Sequence, residues 1–482
     1  MKNHSVVAPQ KQLFTASQLK ARRRATLYAL ISTLGPFFYG FEGMVLNGAI
    51  KAVGSDFHLG PIAAGIAGAA GIIGGFIGAV FAGRISDRIG RKTTLFFVGP
   101  FLLFEAIFGA FSPVLGGYFF LLFCRVVGGI GFGAATTVAP GYVAEIAPAD
   151  IRGRLIGFRQ LAIILGLFFA GFINFIVGSA AGGSTEVLAF GLKAWQWMFL
   201  CLLIPAILFV VLTAIMPESP RYLVSVGKYG QAKQVLERVS AEIDLDHRIE
   251  SIRRSFGEGE VKKMSIAQIM RSDWKGLVIV ASAIAAFQQL TGTNGIFFYS
   301  NLLFESVGFA ENTAFQQTLF LTFFKIVGVT TGILLVDRVG RKRMLIYGGT
   351  LIFIALGIVA TVFTVAPQVD GAPDISSNPI LGYLAVGGLC LFLLGFTSSW
   401  GPIFSIIMGE MFPNEIRGGA MSITSGVDFL VNFLVVLFFP FLLSWSPAGT
   451  YWIYCIFGIL AVAFTAKFVK ETAGKQLEEM GA

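Results

Sequence analysis

Charge is what this sequence has least of. Asp, Glu, Lys and Arg make up 13% of its 482 residues, against roughly 25% in a soluble domain. So few charges cannot cover a water-facing exterior. Histidine is nearly absent, with three residues (His4, His58 and His247) in predicted loops and tails, to which no function is assigned. The four cysteines, Cys124, Cys201, Cys390 and Cys455, sit inside apolar runs without CxxC spacing and read as small buried hydrophobes rather than disulfides or metal ligands. No metal constellation and no nucleophile motif appears, so neither an enzyme nor a cofactor or metal is expected. The net charge of +9 would suit a nucleic-acid binder, but Lys and Arg fall in short clusters between apolar stretches, which excludes that reading. No apolar segment precedes Lys20, Arg22, Arg23 and Arg24, so the N-terminus is not a signal peptide.

What remains is apolar: 55% hydrophobic residues and 59 glycines, with a mean hydropathy of +0.77. Twelve apolar segments are expected near 25–50, 61–83, 94–112, 117–143, 156–179, 195–216, 275–304, 314–336, 344–366, 380–408, 420–445 and 450–469. At this length only helices satisfy every backbone polar group in hydrocarbon. Basic residues crowd the tails, the 84–92 loop, 150–159, 221–275 and 338–343, while the alternate connections near 113–116, 180–192, 305–313, 367–379 and 446–449 hold none. Lys51 is the main exception. By the positive-inside rule both termini are cytoplasmic, in a multi-pass protein of the cell (plasma or inner) membrane. Trp195, Trp197, Trp400, Trp445 and Trp452 are expected near span ends, at headgroup depth.

The chain repeats itself. Gly83-Arg84-Ile85-Ser86-Asp87-Arg88-Ile89-Gly90-Arg91-Lys92 follows the second segment and Asp337-Arg338-Val339-Gly340-Arg341-Lys342 the eighth. Glu145 with Ile151-Arg152-Gly153 ends the fourth, and Glu410 with Ile416-Arg417-Gly418 the tenth. The expected fold is therefore an all-α membrane protein: a tail (1–24), a six-helix bundle (25–216), a cytoplasmic helical linker (217–274), a second, pseudo-symmetric bundle (275–469) and a tail (470–482).

These boxes, with Pro217-Glu218-Ser219-Pro220-Arg221 after the sixth segment and Gln288-Gln289-Leu290-Thr291-Gly292-Thr293-Asn294 in the seventh, resemble the sugar porter family of the major facilitator superfamily over essentially the whole chain. Glu471-Thr472-Ala473-Gly474-Lys475 is a degraded form of the family's tail signature. The resemblance implies a secondary transporter, functional as a monomer in the lipid bilayer, whose bundles rock around a central site. It implies a latch of cytoplasmic ion pairs among Arg84, Asp87, Arg88, Glu145, Arg152 and Arg154 in one half and Asp337, Arg338, Arg341, Glu410 and Arg417 in the other. It places solute at Gln288, Gln289 and Asn294, with Phe298, Tyr299, Gln160 and Trp400, and Gly292 and Gly295 permit a break in the helix. Amides donate and accept, as sugar hydroxyls require, and rings suit a pyranose face. Glu42 stands where proton-coupled members have an aspartate, and Arg125 where they have its arginine partner. A carboxylate at such depth pairs with a cation or takes a proton.

Four positions depart from the family. Lys325 replaces a common asparagine, Asp428 a common amide or small residue, Ser405 a tryptophan and Leu167 a glutamine. Either Lys325 and Asp428 pair internally around a neutral sugar, or Lys325 faces a carboxylate on the solute with Asp428 tuning it. Glu105, mid-span in the third segment, has no family role; it is a protonated packing residue or a second proton site. Arg159 is expected to snorkel at the cytoplasmic end of the fifth segment. The expected function is a proton-coupled symporter importing a sugar or polyol. A facilitative uniporter, or a carrier of sugar acids or organic anions, is the alternative. A sugar sensor is disfavoured by the short tail.

Overall fold

The computed structural model describes residues 15–240, 244–257, 266–369, 372–375, 378–412, 416–469 and 471; among the side chains outside that description are Arg152, Arg154, Asp337, Ser405, Glu410 and Arg417. Among the described residues twelve helices are long and apolar enough to cross a membrane. The first six run Gln18–Asp56, Pro61–Ile89, Arg91–Ala110, Gly117–Ile146, Phe158–Ala181 and Ala194–Ile215; the second six run Lys275–Phe298, Glu311–Val336, Arg341–Val365, Pro379–Met408, Gly419–Trp445 and Pro447–Phe468. These are counted below as the first to twelfth spans.

The first helix starts at Ala16, inside the segment expected as tail. Thr15 caps it, its hydroxyl accepting from the Gln18 amide while its own amide donates to the Gln18 side chain. The chain is not purely helical. Val187–Ala189 pairs with Leu192–Lys193, and Gln368–Val369 with Ala372–Pro373. Both hairpins lie between spans, on the side opposite the basic loops. Four short helices, Pro220–Ser225, Tyr229–Val239, Leu245–Gly257 and Ile266–Arg271, follow the sixth span. Tyr229–Val239 buries Ala232, Val235, Leu236 and Val239 on one face, the amphipathic pattern its sequence predicts.

Glycine sets how closely the spans approach. A Cβ at Gly74, Gly129 or Gly133 would collide with backbone of the facing span, so the second and fourth spans touch main chain to main chain. The seventh span breaks between Leu290 and Thr293, where Gly292 takes φ +81°. Only glycine adopts that conformation without strain. Gly295 does not bend the helix; it lets the Phe439 ring pack against it. The tenth span breaks differently, through a π-helical turn at Phe396–Trp400 just before Gly401-Pro402. π turns mark a local register shift, often at functional sites.

The two halves meet tightly on the side opposite the basic loops. Asn47 of the first span donates to the Phe297 carbonyl (2.5 Å) and the Ser300 hydroxyl (2.8 Å), and accepts from the Asn301 amide (3.2 Å). Lys51 bridges Glu305 (2.6 Å) and Glu311 (2.9 Å). Burial holds the Glu305 carboxyl above its usual range, with Lys51 opposing. Glu311 also accepts from the Ser184 amide (2.8 Å). The exception to the basic-residue pattern is thus neutralised where it stands, and so is Lys193, by Asp56 at 2.5 Å.

Candidate functional site

Between the halves lies a cavity of about 210 Å³, the space of roughly seven waters at ~30 Å³ each. Tyr39, Gly40, Arg159, Gln160, Ile163, Ile164 and Leu167 line it from the first half, and Gln288, Gln289, Thr293, Asn294, Phe298, Lys325, Phe396, Thr397, Gly401, Phe404 and Asp428 from the second. The glycine break turns the seventh span so that both its segments contribute.

An amide chain organises one wall. Asn294 donates to Gln289 (3.0 Å) and to Asn432 (2.9 Å), and Gln289 donates to Asp428 (2.8 Å). Gln288 Oε1 and Thr293 Oγ1 are buried and have no partner among the described residues. Unpaired buried acceptors and hydroxyls are costly, and here they border a space where solute hydroxyls can pair with them.

Of the residues expected to bind solute, Gln160, Gln288, Gln289, Asn294, Phe298, Lys325 and Asp428 come together on this cavity. Trp400 and Tyr299 do not. Trp400 is fully buried and donates to the Leu345 carbonyl at 3.0 Å. Tyr299 stacks on Phe439 and reaches the Ala64 carbonyl of the other half at 3.4 Å. The rings on the cavity are instead Tyr39, Phe298, Phe396 and Phe404. Ser405 lies outside the described side chains. Arg159 lies at the start of the fifth span, as expected, but its side chain faces the cavity, with Tyr39 and Asp428 as its electrostatic neighbours. The internal pair of Lys325 with Asp428 does not form: the Lys325 ammonium sits 3.4 Å above the Phe297 ring, while Asp428 is held by Gln289. Thr293 and Asn432 escaped the sequence reading, although the amide-rich stretch beside Thr293 pointed to that wall.

Beside the cavity, in the first half, Glu42 and Arg125 form an ion pair, with 3% and 2% of each residue exposed. Arg125 also donates to the Ala67 (3.1 Å) and Gly68 (3.3 Å) carbonyls. Glu105, wholly buried, accepts from the same guanidinium at 3.3 Å, and its Oε2 has no partner among the described residues. Its neighbour in the fourth span is Gly128, where a Cβ would occupy the carboxylate's place. Two carboxylates therefore share one cation in a dry site. The site and the cavity belong to one helix: Tyr39 and Gly40 line the cavity, Glu42 follows two residues on, and Phe298 rests against Gly43.

On the basic side Asp87 and Glu145 form ion pairs as expected, but with an arginine outside the expected set, while Arg152, Arg154, Asp337, Glu410 and Arg417 lie outside the described side chains. The arginine that pairs is Arg91, with Asp87 (2.6 Å) and Glu145 (3.2 Å). Arg84, Arg88 and Arg338 form no ion pair among the described residues. The ion pairs described on this side each stay within one half. Ser219 hydrogen-bonds Glu145. Glu218 accepts from the Lys92 (2.9 Å) and Thr93 (3.1 Å) amides and the Thr93 hydroxyl (3.1 Å), capping the third span. Glu471 repeats this at the ninth span, accepting from the Arg341 (2.8 Å) and Lys342 (3.1 Å) amides. An anion there compensates the unpaired amides and the helix dipole. The preceding glycines, Gly90 and Gly340, have φ +102° and +91°.

Residues 28–482 match the model of a family described as sugar (and other) transporters. A glucose transport protein from Synechocystis is 37% identical over 93% of this chain and 95% of its own length. The D-xylose-proton symporter of Escherichia coli K12 is 32% identical over 94% of each. Among solved structures, a partially occluded inward-open form of the E. coli xylose transporter superposes with TM-score 0.80 at 27% identity, covering 94% of this chain and all of that one. The form of the proton:xylose symporter bound to 6-bromo-6-deoxy-D-glucose scores 0.73 at 28% identity, covering 95% of this chain and 98% of that one.

Proposed function

The chain belongs to the sugar transporter family, the sugar porters of the major facilitator superfamily, and from that premise we propose that it couples sugar import to proton entry through Glu42, with Arg125 as the switch. It is a transporter and not an enzyme. Its relatives include D-xylose-proton and arabinose-proton symporters, and proton-coupled sugar transport is the activity the cavity and the buried cluster serve.

The observation that carries the coupling mechanism is the cluster of two carboxylates on one buried guanidinium. With both carboxylates ionised the site holds a net negative charge at bilayer depth, which is costly. A proton taken by Glu42 removes that charge and releases Arg125 from Glu42, leaving Glu105 as its partner. Because Glu42 shares its helix with Tyr39 and Gly40, and Gly43 supports Phe298, a shift of Glu42 reaches the sugar site directly. Gln288, Gln289, Thr293 and Asn294 bind hydroxyls, and Phe298 and Phe404 offer ring faces.

The halves alternate by rocking. Contacts joining the halves around Asn47 and Lys51 support an inward-facing state, as does the closer fit to an inward-open relative. Clustered basic residues support cytoplasmic loops and termini on the other side. The protein works as a monomer in the inner membrane.

Uptake into proteoliposomes tests the mechanism. An imposed inward proton gradient drives accumulation of D-xylose or D-glucose by the wild type. Glu42→Gln is expected to lower that accumulation at least about tenfold while sugar exchange between equilibrated compartments persists. Undiminished accumulation by this variant would exclude Glu42 as the coupling group, and gradient-independent uptake by the wild type would make the protein a uniporter.

A further inference from the structure

Two cations face the cavity, Lys325 and Arg159, and neither forms an ion pair among the described residues. Lys325 comes from the eighth span and is 7% exposed. Its ammonium lies over the Phe297 ring at 3.4 Å, and it makes no ion pair among the described residues. Arg159 comes from the fifth span, in the other half, and likewise makes none. The one anion among the described residues of the lining, Asp428, accepts a hydrogen bond from Gln289 at 2.8 Å. The lining therefore carries two positive charges and one negative, an excess of one.

A neutral pyranose has no use for this excess. A buried ammonium held only by a ring face is costly unless an anion joins it. The glutamates nearest in sequence, Glu305 and Glu311, are engaged by Lys51, and Glu42 and Glu105 by Arg125. A carboxylate on the solute is the partner that would keep Lys325 charged in this setting. Its chemistry follows from the rest of the lining: hydroxyls for Gln288, Thr293 and Asn294, and one negative charge for Lys325. A phosphate ester, at close to two charges, would overshoot the excess; a single carboxylate matches it.

We propose that the preferred solute is a sugar monocarboxylate, an aldonate or a hexuronate, whose carboxylate is taken by Lys325 with Arg159 opposite, between the two halves. This rests on the transport reading above and narrows its substrate class. Since the two cations belong to different halves, the carboxylate also draws the halves together as the solute binds.

The matched pair D-glucuronate and D-glucose, differing at C6, tests it by equilibrium binding to the purified protein and by proton-driven uptake into proteoliposomes. The wild type should bind D-glucuronate at least about tenfold tighter than D-glucose, the size of one charge-assisted hydrogen bond. Lys325→Met should weaken D-glucuronate by about tenfold more than it weakens D-glucose. The wild-type ratio needs no variant, so a poorly folding Lys325→Met does not shelter the proposal. D-glucose bound tighter than both D-glucuronate and D-gluconate would overturn it, as would a ratio that Lys325→Met leaves unchanged. Proton-driven accumulation of D-glucose without competition from either acid overturns this inference and leaves the transport reading standing; no uptake of any of the three overturns both.

Discussion

At Arg125 one guanidinium answers two buried carboxylates, so the substitutions around it are unequal. Arg125→Leu leaves Glu42 and Glu105 facing each other without a cation, and should cost about 3–5 kcal/mol. Glu105→Gln keeps the shape and the acceptor, and should cost about 1 kcal/mol or less. Thermal unfolding in detergent ranks them; a loss in Glu105→Gln as large as in Arg125→Leu would overturn this ranking. Glu42 and Arg125 were legible in the sequence because ionisable groups in apolar segments stand out. Glu105 was visible as an oddity but not as a partner. Which face it takes depends on helix rotation, and a span apolar all round has no periodicity to reveal that. Trp400 was misplaced for the same reason, and Arg159 because a long side chain near a span end can turn either way.

Among the elements, the capped third and ninth spans show what a repeated motif does. Each begins after a glycine in left-handed conformation and receives a glutamate from far along the chain. Glu218→Ala removes four hydrogen bonds, three from the third span and one from the Ser219 amide, and should cost about 1–2 kcal/mol. Gly90→Ala adds backbone strain and a Cβ in collision with the Glu218 carboxylate, and should cost at least about 1 kcal/mol. Melting temperatures with and without a third substitution, Arg84→Ala, check this. Arg84 is exposed and unpaired among the described residues, so Arg84→Ala should stay within about 0.5 kcal/mol of wild type. The spans themselves were readable from length and hydropathy, and the break at Gly292 from the glycines beside the amides. The π turn at Phe396–Trp400 was not, since no residue type specifies it, and the capping glutamates were not, since their partners are backbone amides, which leave no mark in a sequence.

For the whole molecule, two bundles followed from the internal repeat, whereas the contacts that join them did not, because they belong to one of two arrangements that the same chain can take. Asn47 and Lys51 hold that arrangement unequally. Asn47 is buried, and Asn47→Ala should weaken the closed face by about 1–3 kcal/mol. Lys51 is 41% exposed along its side chain, so solvent screens its pairs and Lys51→Met should weaken the face by about 0.2–1 kcal/mol. Spin labels at Val187 and Val369, on the exposed hairpins of the two halves, should report a larger long-distance population in Asn47→Ala than in Lys51→Met. Identical distance distributions in Asn47→Ala and wild type would remove Asn47 from the closure.

The glutamate caps also redraw what counts as an appendage. Glu218 travels with the first bundle and Glu471 with the second, so Glu471, just past the twelfth span, is a fitted part of the body it follows. A purification tag spliced on at residue 470 in place of the native ending strips the ninth span of its anion; one joined downstream of Glu471 leaves that fitting in place.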